Sequence, residues 1–337
     1  MAQIYQYEKS FELECGAVLP SLTIAYDTFG EMNSDKSNVI WVCHALTANS
    51  DVADWWPHTV EKGCFLDPEK YFTVCANFLG SHYGTTGPLS INPTTGEPWY
   101  GDFPQITVRD MVHAHQLLAE HLGIKRVKLL IGSSIGGFQC LEWSVMQPDF
   151  AERTAFIATT PRTKPWAAAF NESQRMAIEG DATFGERSAE AGFNGMAVAR
   201  SIALMSYRGG MAYDKTQEDK NAEEAGFERR VHSYQRYQGE KLRRRFNAYS
   251  YYRLSQAVDS HNLSRGRANL AEVLRGIKSK SLVVAITSDI LFPPEDHKPL
   301  IENIPDVEYH LIDSDFGHDG FLVEHKQLNE IILEFLK

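Results

Sequence analysis

The chain has 337 residues, 43% of them hydrophobic and 23% charged, which is enough apolar material for the core of one large domain or of a domain carrying an insertion. A net charge of -11 leaves no basic surface of the kind a phosphate backbone requires, so nucleic acid is excluded as a partner. No apolar run approaches the roughly 18–20 residues that span a bilayer, and Met1 to Gln6 lacks the basic start and apolar stretch of a signal peptide. Membrane association is therefore not expected. The five cysteines, Cys15, Cys43, Cys64, Cys75 and Cys140, are scattered and form no C-x-x-C pair. They read as reduced thiols of a cytoplasmic protein, with no disulfide frame and no metal site.

Leu22 to Phe29 alternates apolar and polar residues, as a half-buried strand does. Val39 to Cys43 is a continuous apolar run, the pattern of a strand covered on both faces, and Tyr71 to Ala76 is similar. The spacing predicts an amphipathic helix over Ile106 to Leu122, with Met111, Ala114, Leu117, Leu118 and Leu122 on one face and Gly123 closing it. A strand at Val127 to Ile131 and a helix from about Ile135 to Met146 follow. Further strands are expected at Glu152 to Thr159, Ser281 to Thr287 and Glu308 to Ile312. Strands alternating with helices predict an α/β fold with a mostly parallel, doubly wound sheet and right-handed crossovers. Residues 161–276 differ: they are rich in Ala, Glu, Arg, Gln and Met and hold no convincing buried strand. They predict a helical insertion between core segments 1–160 and 277–337, placed to act as a lid.

Gly132-Ser133-Ser134-Ile135-Gly136 matches G-x-S-x-G, and it directly follows a strand and precedes a helix. In that context the serine sits on a sharp turn that glycines make sterically possible, with its hydroxyl at the carboxyl edge of the sheet. Ser134 is the candidate nucleophile; Ser133 points away from the pocket. A serine hydroxyl needs a base, and the base an orienting group. Asp289, just past the strand Ser281 to Thr287, is the candidate acid. His318, in the loop Gly317-His318-Asp319-Gly320 after the last strand, is the candidate base. The chain order Ser, Asp, His is that of the α/β-hydrolase fold. Backbone N–H groups of Leu46 and Ile135 are the expected oxyanion-hole donors, each worth about 3 kcal/mol in a transition state. His44 is expected to hold the Leu46 loop rather than to react.

Several longer stretches go beyond the fold. His44-Ala45-Leu46-Thr47, Gly84-Thr85-Thr86-Gly87-Pro88, Ser90-Ile91-Asn92-Pro93, Gly136-Gly137-Phe138-Gln139-Cys140-Leu141-Glu142-Trp143 and Gly317-His318-Asp319-Gly320-Phe321-Leu322 occur in order along the chain. With them the chain resembles the homoserine O-acetyltransferase family, from near residue 15 to the C-terminus. Ala199-Arg200, Tyr207-Arg208 and Phe246-Asn247-Ala248-Tyr249-Ser250-Tyr251 resemble that family's lid motifs. Asn247 replaces the family's usual acid, and Thr85 stands where serine is common; both departures leave the expected fold intact and the fine choice of substrate open.

The resemblance implies acyl transfer from acetyl-coenzyme A to the hydroxyl of L-homoserine, a step of methionine synthesis, through an acyl-enzyme on Ser134. It places Arg200 on the acceptor's carboxylate, Asp319 on its ammonium, and Tyr207 within reach of acceptor or acyl group. It implies no permanently bound cofactor, acetyl-coenzyme A as co-substrate, and a homodimer. A succinyl donor, a serine acceptor, or water as acceptor in an esterase or thioesterase remain open at this point, because all use the same three residues.

Overall fold

The computed structural model describes residues 2–221, 223 and 226–337. Met1 and three positions of the expected insertion (222, 224 and 225) lie outside the described residues.

The strands are β1 (Gln3–Tyr7), β2 (Phe11–Glu12), β3 (Val18–Leu19), β4 (Leu22–Phe29), β5 (Val39–Cys43), β6 (Phe72–Ala76), β7 (Val127–Ser133), β8 (Ala151–Ile157), β9 (Lys280–Ile286) and β10 (Val307–Ile312). Eight of them form one sheet in the order β1-β4-β6-β5-β7-β8-β9-β10, while β2 and β3 make a separate hairpin. From β6 to β10 every neighbour pair is parallel; β1 and β4 add an antiparallel edge. The sheet is therefore mostly parallel, as expected. The edge strand β1 escapes sequence reading because Gln3–Tyr7 is half polar and largely exposed, and it is ordered by its ladder to β4.

The helices are α1 (Val52–Trp55), α2 (Val108–His121), α3 (Ile135–Met146), α4 (Pro165–Glu179), α5 (Phe193–Gln217), α6 (Arg230–Arg243), α7 (Ala248–Ser260), α8 (Leu270–Arg275), α9 (Lys298–Asn303), α10 (Gly320–Val323) and α11 (His325–Phe335). Helix α2 starts two residues later than its hydrophobic pattern suggests, because Thr107 and Asp110 close a capping box: each side chain bonds the other's backbone N–H.

The pleat of the central strands divides the core in two. Trp41, Leu130, Phe156 and Val283 join one cluster with Phe138 and Trp143 of α3. Ile40, Val42, Leu129, Ile131 and Val284 join the other with Leu328 and Ile332 of α11. Covering on both faces is why β5 reads as an unbroken apolar run. Residues 161–276 contribute α4 to α8 and no strand among the described residues beyond one isolated bridge, Arg162 to Asn262. These helices connect β8 to β9, and α4, α5 and α6 pack on one another in chain order. No helix among the described residues is long and apolar enough to cross a membrane.

Candidate active site

Strand β7 lies between β5 and β8 near the middle of the sheet, and Ser134 is the first residue past its carboxyl end. Its φ of 57° and ψ of -123° put a non-glycine residue in left-handed, strained backbone. The surroundings over-determine that geometry. Ser134 N–H donates to the Ile157 carbonyl at 3.0 Å, and the Thr159 hydroxyl donates to the Ser134 carbonyl at 3.0 Å. A Cβ on Gly136 would stand 2.1 Å from the Cys43 carbonyl oxygen, and one on Gly132 would stand 2.3 Å from that of Gly136. Only glycine lets α3 press against the end of β5 in this way.

That close approach sets the start of α3 beside the loop that follows β5. Ile135, the first residue of α3, leaves its N–H without an acceptor, as helix starts do, and Leu46 N–H likewise finds none among the described residues. His44 is fully buried, stacks on Phe78 at 3.7 Å between ring centroids, and lies 2.8 Å through Nδ1 from the Ala45 carbonyl. Burial pushes its pKa down to about 3, so the ring is neutral. Ser133 is buried and off the cavity that Ser134 lines.

Asp289 follows β9 by three residues. Its Oδ1 accepts N–H bonds from Leu291 at 2.8 Å and Phe292 at 2.9 Å, and its Oδ2 stands 2.7 Å from Nδ1 of His318. Both side chains are almost wholly buried. The two loops are also tied directly: the Ser288 hydroxyl donates to the Ser314 carbonyl at 2.5 Å and accepts the Gly317 N–H at 2.9 Å. Burial alone would push His318 down, but the charge and hydrogen bond of Asp289, helped by Asp319, outweigh it and hold the imidazole above its ordinary value. Nε2 of His318 is buried and has no hydrogen-bond partner. The Ser134 hydroxyl is thus not yet bonded to it, as is common before substrate arrives.

Ser134, His318, Leu46, Arg200, Tyr207 and Asp319 all line one cavity of about 560 Å³ between the carboxyl edge of the sheet and the inserted helices. Asp289 lies behind His318 and does not line it. Residues 161–276 reach the cavity through α5, through the end of α6 and through the turn after it, and α5 kinks at Gly209 (φ 65°, ψ 169°). Just before the kink the backbone of Tyr207 and Arg208 touches the turn at Gly317 so closely that a Cβ there would lie 2.9 Å from each. The contact sets the Tyr207 ring 5.9 Å from that of His318, centroid to centroid. Arg200 lies over the Tyr207 ring at 5.7 Å and forms no ion pair among the described residues. Asp319 is paired by Arg208, Nε to Oδ2 at 3.1 Å, a partner that the sequence reading did not assign to it.

Asn247 and Thr85, the two departures from the family pattern, face elsewhere. Asn247 caps α7 through Ser250 N–H and lies 2.9 Å from Nδ1 of His82. Thr85 is buried, donating to the Asn77 carbonyl and accepting the Ala25 N–H. Both hold backbone in place, and neither lines the cavity that holds Ser134. Sequence reasoning missed three residues here. His297, fully buried, accepts the Thr159 N–H and so backs the Ser134 turn; its position in a short 3₁₀ turn gives no periodic signal. Lys241 and Arg245 line the cavity, and the signal was the basic run Lys241-Leu242-Arg243-Arg244-Arg245 in an acidic chain.

A hydroxyl on a strained turn, a carboxylate-held imidazole and two free amide donors on one cavity are the parts of nucleophilic acyl chemistry. The alpha/beta hydrolase fold family matches residues 38–325. The homoserine O-acetyltransferase of Cyclobacterium marinum is 43% identical over 99% of this chain and 94% of its own length. Among solved structures, the homoserine O-acetyltransferase of Bacillus anthracis superposes with a TM-score of 0.90 at 24% identity, covering 100% of this chain and 98% of that one. The acetyl esterase MekB superposes with a TM-score of 0.86 at 26% identity, covering 100% and 96%. With near-complete coverage at that level of identity, the chain belongs to the homoserine O-acetyltransferase family of the alpha/beta hydrolase fold.

Proposed function

We propose that this protein transfers an acetyl group from acetyl-coenzyme A to the side-chain hydroxyl of L-homoserine, with Ser134, Asp289 and His318 as its catalytic triad. His318, held by Asp289, takes the Ser134 proton, and the oxygen attacks the thioester carbon. The N–H groups of Leu46 and Ile135 stabilise the oxyanion. The carbon–sulfur bond breaks, His318 returns the proton to the leaving thiolate, and the acetyl group stays on Ser134. The homoserine hydroxyl then gives its proton to His318 and attacks the ester. Collapse releases O-acetylhomoserine and restores the Ser134 hydroxyl.

The observation that carries the reading is the joint presence of Arg200 with Ser134 and His318 on one cavity. A simple esterase needs no unpaired guanidinium beside its nucleophile, whereas an amino-acid acceptor has a carboxylate for a planar fork to grip. Asp319, although shared with Arg208, offers an oxygen to the acceptor's ammonium, and Tyr207 offers its phenol. The helices of residues 161–276 act as a lid that keeps bulk water from the acyl-enzyme. Exposed Val198, Met205 and Met211 on α5 and Tyr237 on α6 support a two-fold homodimer across these helices, and the protein works in the cytoplasm.

The test is thiol release from acetyl- or succinyl-coenzyme A with homoserine, serine or no acceptor. Release that requires homoserine and prefers the acetyl donor supports the reading. Equal release without an amino acid assigns the protein to hydrolysis, the activity that its likeness to MekB suggests. A preference for serine or the succinyl donor keeps the mechanism and changes the substrates.

A further inference from the structure

We propose that Lys241 and Arg245 form a subsite for the phosphate groups of the acyl donor. The proposal rests on the acyl-coenzyme A reading above and deepens it, by assigning the part of the cavity wall that takes the donor's anionic end.

Both residues come from the end of α6 and the turn after it, and both line the cavity that holds Ser134. Their neighbours Arg243 and Arg244 share the carboxylate of Glu240, at 3.1 and 3.7 Å, and do not line the cavity. Lys241 is exposed and has no ion pair among the described residues. Arg245 is firmly placed but not neutralised. Its guanidinium donates to the Thr47 carbonyl at 2.5 Å, the Tyr83 hydroxyl at 2.7 Å and the Thr47 hydroxyl at 3.3 Å, all uncharged oxygens.

The charge balance of the wall points the same way. Its carboxylates are Asp54 and Asp319; Asp319 is ion-paired to Arg208, and Asp54 accepts a weak bond from the Asn49 amide at 3.4 Å. Against them stand Arg200, Lys241 and Arg245, so the wall is net positive within a chain of net charge -11. A polyanion is repelled by most of this molecule and attracted here. Arg200 lies against Tyr207, whose ring neighbours His318, where the small acceptor must react. The other two cations are left for a different ligand group.

An acyl-coenzyme A has a thioester at one end and phosphates at the other, joined by a narrow arm. With the thioester at the half-buried Ser134, the arm runs outward through the cavity and the phosphates emerge at its exposed side, where Lys241 stands. A cavity of about 560 Å³ suits such an arm. Lysine supplies a mobile point charge and arginine a planar fork, the two usual ways of holding phosphate. The competing explanation is that these cations only complement the carbonyl end of α6. That role would not distinguish one donor from another.

The experiment measures kcat/KM for acetyl-coenzyme A and for S-acetylpantetheine, a donor of the same arm without phosphates, at saturating homoserine. The wild-type chain is expected to prefer acetyl-coenzyme A and to lose that preference as ionic strength rises. Lys241→Ala should reduce the ratio about threefold and Lys241→Glu about tenfold. Arg245→Gln, which keeps donors for Thr47, should reduce it as well. An unchanged ratio in Lys241→Glu overturns the subsite and leaves the acetyltransferase reading intact. A wild-type chain that turns over S-acetylpantetheine but not acetyl-coenzyme A overturns both.

Discussion

Oδ2 of Asp289 stands 2.7 Å from Nδ1 of His318, while Oδ1 of the same carboxylate is held by two backbone N–H groups. The acid is thus fixed by its own loop and has one oxygen left for the imidazole. Asp289→Asn keeps the size and an oxygen for Leu291 and Phe292, but turns an N–H toward Nδ1 and forces the wrong tautomer. We expect kcat to fall by about a thousandfold or more, with the folded state retained. Thiol-release kinetics and circular dichroism together check this.

The pH dependence follows from His318. In the proposed mechanism His318 must be neutral to take the Ser134 proton, and Asp289 and Asp319 hold its pKa above the ordinary histidine value despite burial. Below that raised value the ring is protonated, so kcat/KM for the acyl donor should fall on the acid side from a point above about 6.5. Asp319→Asn removes one of the raising charges, so the acid limb should move to lower pH. A limb that stays in place or moves upward would show that Asp319 does not act on the imidazole electrostatically.

Arg200→Lys keeps the charge and loses the fork. KM for homoserine should rise by roughly thirtyfold, equivalent to about 2 kcal/mol, while formation of the acyl-enzyme from donor alone changes little. A matching loss in the acylation step would mean that Arg200 serves the donor instead.

Gly317→Ala tests the coupling between the insertion and the base. Gly317 has a φ of 60°, and an added Cβ would meet the Tyr207 carbonyl oxygen and the Arg208 carbonyl carbon at 2.9 Å. We expect a loss of about 2–3 kcal/mol in urea unfolding, from strained backbone and overpacking together. Homoserine-dependent turnover should fall as well, because α5 is pushed off the His318 loop. Full stability would mean that this contact is not tight in solution.

The sequence made legible what repeats or punctuates. Val39 to Cys43 announces a buried strand because both faces of the sheet are covered, and Val127 to Ile131 announces the strand beside it. The glycines around Ser134 announced a turn because only they fit between β5 and α3. Ser134, His318, Arg200, Tyr207, Asp319 and Leu46, chosen from motifs up to 273 positions apart (from 46 to 319), line one cavity. Illegible were features fixed by tertiary contact alone. The β1 strand depends on its partner, the Arg208 pairing of Asp319 joins α5 to the His318 loop across 111 positions, and the buried His297 has no pattern around it. Asn247 and Thr85 show that positions inside a family motif also hold backbone in place.

The central claim is a covalent acetyl group on Ser134. It is tested most directly by mixing the protein with acetyl-coenzyme A in the absence of acceptor and determining the mass of the intact chain and of the peptide that contains Ser134. The account predicts an acetyl adduct on Ser134 that homoserine removes, and no adduct in Ser134→Ala. Thiol release that requires both substrates at once, with no adduct at any time, would contradict it.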